Sequence, residues 1–282
     1  MFQIIQKREL NSAVTLLEVE APFVAKKAEA GQFILFRIDE DGERVPLTIA
    51  DYDREKGTVT IIFQKAGLST TRLGNMNVGD KILDFVGPLG IPTEIEGLKR
   101  VAVVGGGVGC AIAYPQAKAL HNAGVSVDVI AGFRNEDIVI LEDEMTAVSD
   151  HFYLMTDDGS KGEKGFVTDK LKSLIENNIS SNGIQYDMVI TIGPIPMMKF
   201  VSLTSKPFGI KTLVSLNPIM VDGTGMCGCC RVTVDGKIRF ACVDGPDFDG
   251  HLVDFDELMN RNSVYKAEET QMKADHECEL RK

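Results

Sequence analysis

The densest chemistry in this chain lies between Asp222 and Cys242. Cys227, Cys229 and Cys230 fall within four residues, and Cys242 follows after eleven more. With six cysteines in 282 residues there is no disulfide scaffold, so this crowding points to metal or cluster chemistry in a reducing compartment. Cys227-x2-Cys230 and a later Cys242 fit the C-x4-C-x2-C spacing of plant-type 2Fe–2S loops, except that Asp222 stands where the first cysteine belongs. A carboxylate brings the same single negative charge as a thiolate but exchanges a soft donor for a hard one. Gly223, Gly225 and Gly228 let the loop wrap a cluster with its amides turned toward sulfur. The expected ligands are therefore Asp222, Cys227, Cys230 and Cys242. Three other assignments compete: Cys229 in place of Cys230, a zinc site, and structural or redox-reactive thiols. A zinc ribbon would need a second C-x-x-C, and the chain has none.

A second chemical signal is Gly105-Gly106-Gly107-Val108-Gly109, which follows the apolar run Val101–Val104 and precedes a helical composition from Ala111 to Asn122. Glycines let backbone approach a pyrophosphate, and a helix N-terminus favours its charge. The G-x-G-x-x-G pattern is only partly met, because Cys110 occupies the third glycine position. No acid closes the second strand, where Ala131-Gly132-Phe133-Arg134 stands, so NAD and NADP are not distinguished. The competing account is a tight structural turn. Cys110 is expected to pack beneath the loop. His121, His151, His251 and His276 are scattered, and none is assigned a role.

These motifs need elements to position them. Residues 1 to 98 read as short β-rich runs, Val14–Val19, Phe33–Ile38, Thr58–Phe63 and Lys81–Val86, separated by turn signals such as Asp41-Gly42 and Gly79-Asp80. That spacing favours a small antiparallel barrel. From residue 99 to 217 strands and helices alternate: Val101–Val104, Val125–Ala131, Phe152–Met155, Met188–Ile192 and Thr212–Leu216 as strands, with a helix capped by Thr168 or Asp169. Alternation of this kind means a parallel sheet. Residues 218–260 form the cysteine region, and 261–282 a charged tail or partner-binding arm ending past Cys278, which is expected to be incidental.

The whole order resembles the ferredoxin–NADP reductase superfamily: an antiparallel β-barrel domain, an α/β parallel-sheet nucleotide-binding domain and, here, a small 2Fe–2S loop domain. Pro115 after the G-G-G-x-G loop, Thr156–Ser160 and Gly193–Met198 resemble that family's strand-end loops. Arg44-Val45-Pro46-Leu47-Thr48 resembles its R-x-Y-[ST] flavin motif, with Pro46 in place of the aromatic residue. Lys65–Thr71 resembles its phosphate-holding element, and Gly87-Pro88-Leu89-Gly90 its barrel closure. The resemblance implies FAD contacts at Arg44, Pro46, Leu47, Thr48, Gly67, Ser69 and Thr70. It implies NAD(H) contacts at Gly105, Gly106, Gly107, Gly109, Asp157, Gly193 and Met197. Within the superfamily the chain looks like the electron-transfer subunit of class B dihydroorotate dehydrogenase. It looks still more like the small subunit of the electron-bifurcating NADH-dependent reduced ferredoxin:NADP oxidoreductase. That resemblance implies a larger glutamate-synthase-like flavoprotein partner with four-iron clusters, and ferredoxin reached through the complex. A non-enzymatic flavin and metal module that senses redox state is the alternative of another class.

Composition narrows the field from outside. Lys plus Arg is 30 against 41 for Asp plus Glu, a net charge of −11. Phosphate backbones and anionic membranes repel such a chain, so neither nucleic acid nor membrane is expected as a partner. There is no tryptophan, and aromatics are 7%, so no base-stacking surface stands out. The glycine-broken run Val101–Tyr114 is too short to span a bilayer. Met1–Glu9 lacks a signal-peptide pattern, and a cytoplasmic protein is expected.

Overall fold

The computed structural model describes residues 1–181 and 183–271. His276 and Cys278 lie outside the described residues.

The N-terminal third is a seven-stranded antiparallel sheet. Its strands are β1 (Phe2–Glu9), β2 (Val14–Glu20), β3 (Phe33–Arg37), β4 (Val45–Asp53), β5 (Thr58–Gln64), β6 (Lys81–Ile82) and β7 (Asp84–Leu89), in the order β6-β1-β2-β5-β4-β3-β7. The edge strands β6 and β7 are separated only by Leu83, so the sheet curls into the expected, nearly closed barrel. Leu17, Ile34, Phe36, Ile49, Ile61 and Phe63 fill it from alternate positions of β2 to β5. Two helices attach to it, α1 (Pro22–Ala25) and α2 (Leu68–Asn75).

Three details differ from expectation. β1 gave no strand signal because only Ile4 is buried along it. β4 takes in Val45–Thr48 of the flavin-like motif, leaves Arg44 just before it and runs five residues beyond Thr48. The run Lys81–Val86 is two strands, not one, and its break at Leu83 lets the chain pass between the barrel's two edges.

The α/β unit contains β8 (Arg100–Gly106), α3 (Gly109–Asn122), β9 (Ser126–Phe133), α4 (Glu142–Ala147), β10 (His151–Thr156), β11 (Glu163–Lys164), α5 (Val167–Ser180), β12 (Met188–Ile192), α6 (Ile195–Ser205) and β13 (Lys211–Ser215). Strands β10, β9, β8, β12 and β13 lie side by side and parallel. β8 and β12 are apolar on both faces because α3 covers one face and α5 with α6 the other. Strand order reverses between β8 and β12, which opens a crevice at their carboxyl ends. At the opposite end, buried Asp128 accepts hydrogen bonds from Arg100 (2.8 Å), Tyr186 (2.5 Å) and the His151 ring (2.8 Å). These bonds outweigh burial and hold its carboxyl below the usual range. Helix α5 starts earlier than expected: Phe166, without a side-chain bond, is the cap, and Asp169 lies in the first turn.

The cysteine region is woven into this sheet. After a loop come the hairpin β14 (Arg231–Val234) and β15 (Lys237–Phe240), the short helix α7 (Ala241–Asp244), strand β16 (Asp247–Asp249) and helix α8 (Phe255–Asn262). β16 pairs antiparallel with β13 and becomes the sheet's edge. Helix α8 runs past the expected start of the tail, and Arg261 reaches back to the Cys229 carbonyl at 3.3 Å. Residues 263–271 are exposed. Among the described residues, no helix is long and apolar enough to cross a membrane.

Candidate functional site

The barrel and the α/β unit face each other across a cavity of about 1250 Å³. That exceeds the usual few hundred to a thousand Å³ of a single small-ligand pocket and suits two extended ligands meeting end to end. Lys118 of α3 holds the two bodies together by donating to Asp51 of β4 at 2.7 Å. One wall comes from β4 and α2, the other from the carboxyl ends of β8, β9, β12 and β13.

The glycine loop takes its shape from packing as well as from ligand access. A Cβ on Gly109 would stand 2.4 Å from the Ile192 carbonyl oxygen, and one on Gly106 would stand 2.3 Å from Met197 Sδ. Gly105 leaves room for Cys110, whose Sγ would be 2.7 Å from an added Cβ. Cys110 is wholly buried, and burial pushes its thiol up to about 12, which makes it packing and not a redox thiol. Gly107 differs from these. Its φ is +56°, nothing lies within 4 Å of its Cβ position, and it lines the cavity. Its N–H donates to the Gly132 carbonyl at 2.8 Å, tying the loop to β9. Gly106, Gly107, Gly109, Asp157, Gly193 and Met197 all line the cavity, while Gly105 lies behind it.

On the barrel side Pro46, Leu47, Thr48 and Thr70 line the cavity, and Arg44, Gly67 and Ser69 do not. Gly67 precedes helix α2, and its N–H is taken by Thr70 Oγ1 at 3.0 Å. Ser69 donates to Glu43 at 3.0 Å. Arg44 is exposed, and its charge contributes to holding the Asp222 carboxyl low, behind the bonds from Thr224 and Met226. Sequence reasoning missed Phe33, Ser215, Leu216, Met220 and Pro246, which complete the wall. Phe33 is the cross-strand partner of Thr48, a pairing that only the register reveals.

The cysteine loop begins at this wall with Met220. Gly223, Gly225 and Gly228 have φ of +82°, +83° and +69°. Gly223 lies against Leu35 of β3, the neighbour of β4 in the barrel. The turn Asp235-Gly236, with φ of +52° and +67°, sets the register of β14 and β15 and places Phe240 opposite Arg231. The Ala241 N–H then donates to the Cys230 carbonyl at 3.0 Å. Cys230 and Cys242 are thereby buried with sulfurs 3.2 Å apart. Burial first, and Cys230 second, push the Cys242 thiol up to about 12. Cys227 is exposed beside Cys229, whose backbone N–H, together with that of Asp222, draws the Cys227 thiol below its usual range. The Asp222 carboxylate accepts from the Thr224 hydroxyl, from its N–H at 3.0 Å and from the Met226 N–H at 3.4 Å. Among the described residues no three His, Cys, Asp or Glu side chains converge as a set around one point. The donor chemistry nonetheless fits a cluster: Cys227, Cys229 and Cys230 are free thiols on one glycine-rich loop, the hairpin brings free Cys242 beside Cys230, and backbone amides are directed at the Cys227 and Cys242 sulfurs.

A flavin-type barrel, a parallel sheet with a glycine loop at its switch point and a thiol-rich loop at their junction together define an electron-transfer reductase. The model of the iron-sulfur cluster binding domain of dihydroorotate dehydrogenase B matches residues 217–254. A dihydroorotate dehydrogenase B (NAD(+)) electron transfer subunit homolog from Thermotoga maritima is 47% identical, over 95% of this chain and 92% of that protein. The chain belongs to the family of dihydroorotate dehydrogenase B electron transfer subunits and their homologs. The structure of an NADH-dependent reduced ferredoxin-NADP oxidoreductase, solved for insight into flavin-based electron bifurcation, superposes with a TM-score of 0.90. It is 44% identical over 99% of this chain and 98% of that one. The cytochrome b5 reductase domain of Ulva prolifera nitrate reductase shares the fold at 16% identity, with a TM-score of 0.55 over 74% of this chain and 92% of that one.

Proposed function

We propose that this chain is the FAD- and 2Fe–2S-carrying subunit of an NADH-dependent reduced ferredoxin:NADP oxidoreductase. It exchanges hydride with NAD(H) and passes single electrons to or from a larger partner. The observation that carries this is one junction: Thr48, Gly107 and Met220 share a cavity, and Met220 opens the cysteine loop. FAD, when bound, converts between the paired electrons of a hydride and the single electrons of a cluster. The chain's own work is placement. Thr48 offers a hydroxyl and Arg44 a free guanidinium on the barrel side. Gly107 and Gly109 admit a pyrophosphate at the start of α3. Phe33, Leu47, Ile112 and Met197 keep the cavity apolar and exclude water. Asp222, Cys227, Cys230 and Cys242 hold the cluster. The partner is a glutamate-synthase-like flavoprotein with four-iron clusters, reached in the cytoplasm, with ferredoxin served by the complex.

The second reading, service to a dihydroorotate-oxidising subunit, is favoured by the family match at residues 217–254. Anaerobic mixing with NADH tests the shared core of both: flavin bleaching must precede loss of cluster colour, and absence of bleaching ends the proposal. The mass of the co-purifying partner then decides between them.

A further inference from the structure

A carboxyl group with no cation beside it lies directly behind the cavity wall. Asp247 opens β16, and Pro246 before it lines the cavity. The residue keeps some exposure along the strand, but its carboxyl turns inward. Oδ2 accepts from Thr93 Oγ1 at 2.6 Å and from Gln116 Nε2 at 2.9 Å. Ser215 is its direct cross-strand partner on β13 and itself lines the cavity.

Two acceptors in this cluster, Asp247 Oδ1 and Gln116 Oε1, are buried without a hydrogen-bond partner. The cluster thus offers more acceptors than donors. A proton on Asp247 Oδ1 would turn one of these unpaired acceptors into a donor while Oδ2 keeps its bonds from Thr93 and Gln116. Burial pushes the carboxyl up to about 6 against the hydrogen bonds of Thr93, Ser215 and Gln116, and no charged neighbour contributes.

We propose that Asp247, reached through the Ser215 hydroxyl, stores the proton left in the cavity when electrons leave it one at a time. The inference rests on the function proposed above. Each NADH yields NAD+, two electrons and one proton. The electrons leave through the cluster. The proton passes to Ser215, which gives its own hydroxyl proton to the Asp247 carboxylate and so stays neutral. In the reverse direction Asp247 returns it. Asp247 is a positioning residue for the proton, since Ser215 stands between it and the cavity.

The test is time-resolved infrared spectroscopy while NADH-reduced, FAD-loaded protein is reoxidised by ferricyanide at pH 6. A carboxylic-acid carbonyl band should grow with the flavin change, shift in D2O and be lost in Asp247→Asn. In Ser215→Ala the band should lag behind the flavin change, and Ser215→Thr, which keeps a hydroxyl, should restore coincidence. A band that persists in Asp247→Asn, or no such band in the wild type, overturns the assignment. Should Asp247→Asn fail to fold, equal band kinetics in Ser215→Ala and Ser215→Thr overturn it alone. Protein that NADH cannot reduce would instead overturn the proposed function, a failure visible in the flavin spectrum before any proton is sought.

Discussion

Asp222 is the residue on which the cysteine loop turns. Its carboxylate is engaged by Thr224 and Met226, which shapes the loop, yet it stands at the first ligand position and beside Cys227. If it is also a ligand, Asp222→Cys keeps a 2Fe–2S cluster with altered visible and paramagnetic spectra, and Cys229→Ser leaves both spectra unchanged. Iron and acid-labile sulfide in equal amounts are the prior check. An unchanged spectrum in Asp222→Cys with loss of iron in Cys229→Ser would show an all-cysteine ligand set. Arg44 makes a second case at this scale. It is exposed and makes no hydrogen bond or ion pair among the described residues, so its charge is available to a phosphate. Arg44→Ala should weaken FAD retention by roughly 1.5–3 kcal/mol, the worth of a charged hydrogen bond, read as flavin content after gel filtration. Full retention would remove Arg44 from the flavin site.

Between β8 and α3 the chain turns through glycines, and Gly107 is the cavity-lining one whose Cβ position is open. A side chain there would suffer the positive φ, at roughly 1–2 kcal/mol, and would project into the cavity. Gly107→Val should therefore slow NADH-driven bleaching while bound FAD stays at wild-type occupancy. An unchanged bleaching rate would make residues 105–109 a structural turn. The elements that carry a strong pattern are legible in the sequence: β8 as the apolar run Val101–Val104, β12 as an apolar run broken only by Thr191, and the loop as glycines after a strand. β1 was not legible, because one buried residue in eight gives no alternation. The start of α5 was not either, because Phe166 caps it by backbone geometry alone while Thr168 and Asp169 look like caps. The site residues missed, Ser215 and Pro246 among them, have no motif. Ser215 reaches the cavity from the carboxyl end of β13, and Pro246 only because β16 returns to pair with β13, a long-range event that local pattern does not encode.

The molecule as a whole is closed by that return. Thr93 after the barrel, Gln116 on α3 and Asp247 on β16 meet in one hydrogen-bonded cluster, so barrel, nucleotide unit and cysteine region share a single polar joint. A cysteine region of residues 218–260 is thus a segment of the sheet as well as a loop. The joint makes overall stability depend on pH in a predictable direction. The Asp247 carboxyl, raised by burial to about 6 from an unfolded value of 3.8, binds its proton more tightly in the folded chain. Between those values the folded state holds more protons than the unfolded one, so stability falls as pH rises through about 6. The loss is complete above that value and is on the order of 3 kcal/mol. Carboxylates held low in the folded chain, Asp128 and Glu144, lose their contribution only at lower pH, so they do not obscure this window. Urea unfolding of the full chain at pH 5 and pH 7 should show the wild type less stable at the higher pH. Asp247→Asn cannot ionise and keeps an oxygen to accept from Thr93. It should be nearly flat across the interval and more stable than the wild type at pH 7. Equal pH slopes in the two proteins would mean that the carboxyl titrates as it does in water, and the joint would then be a plain packing contact.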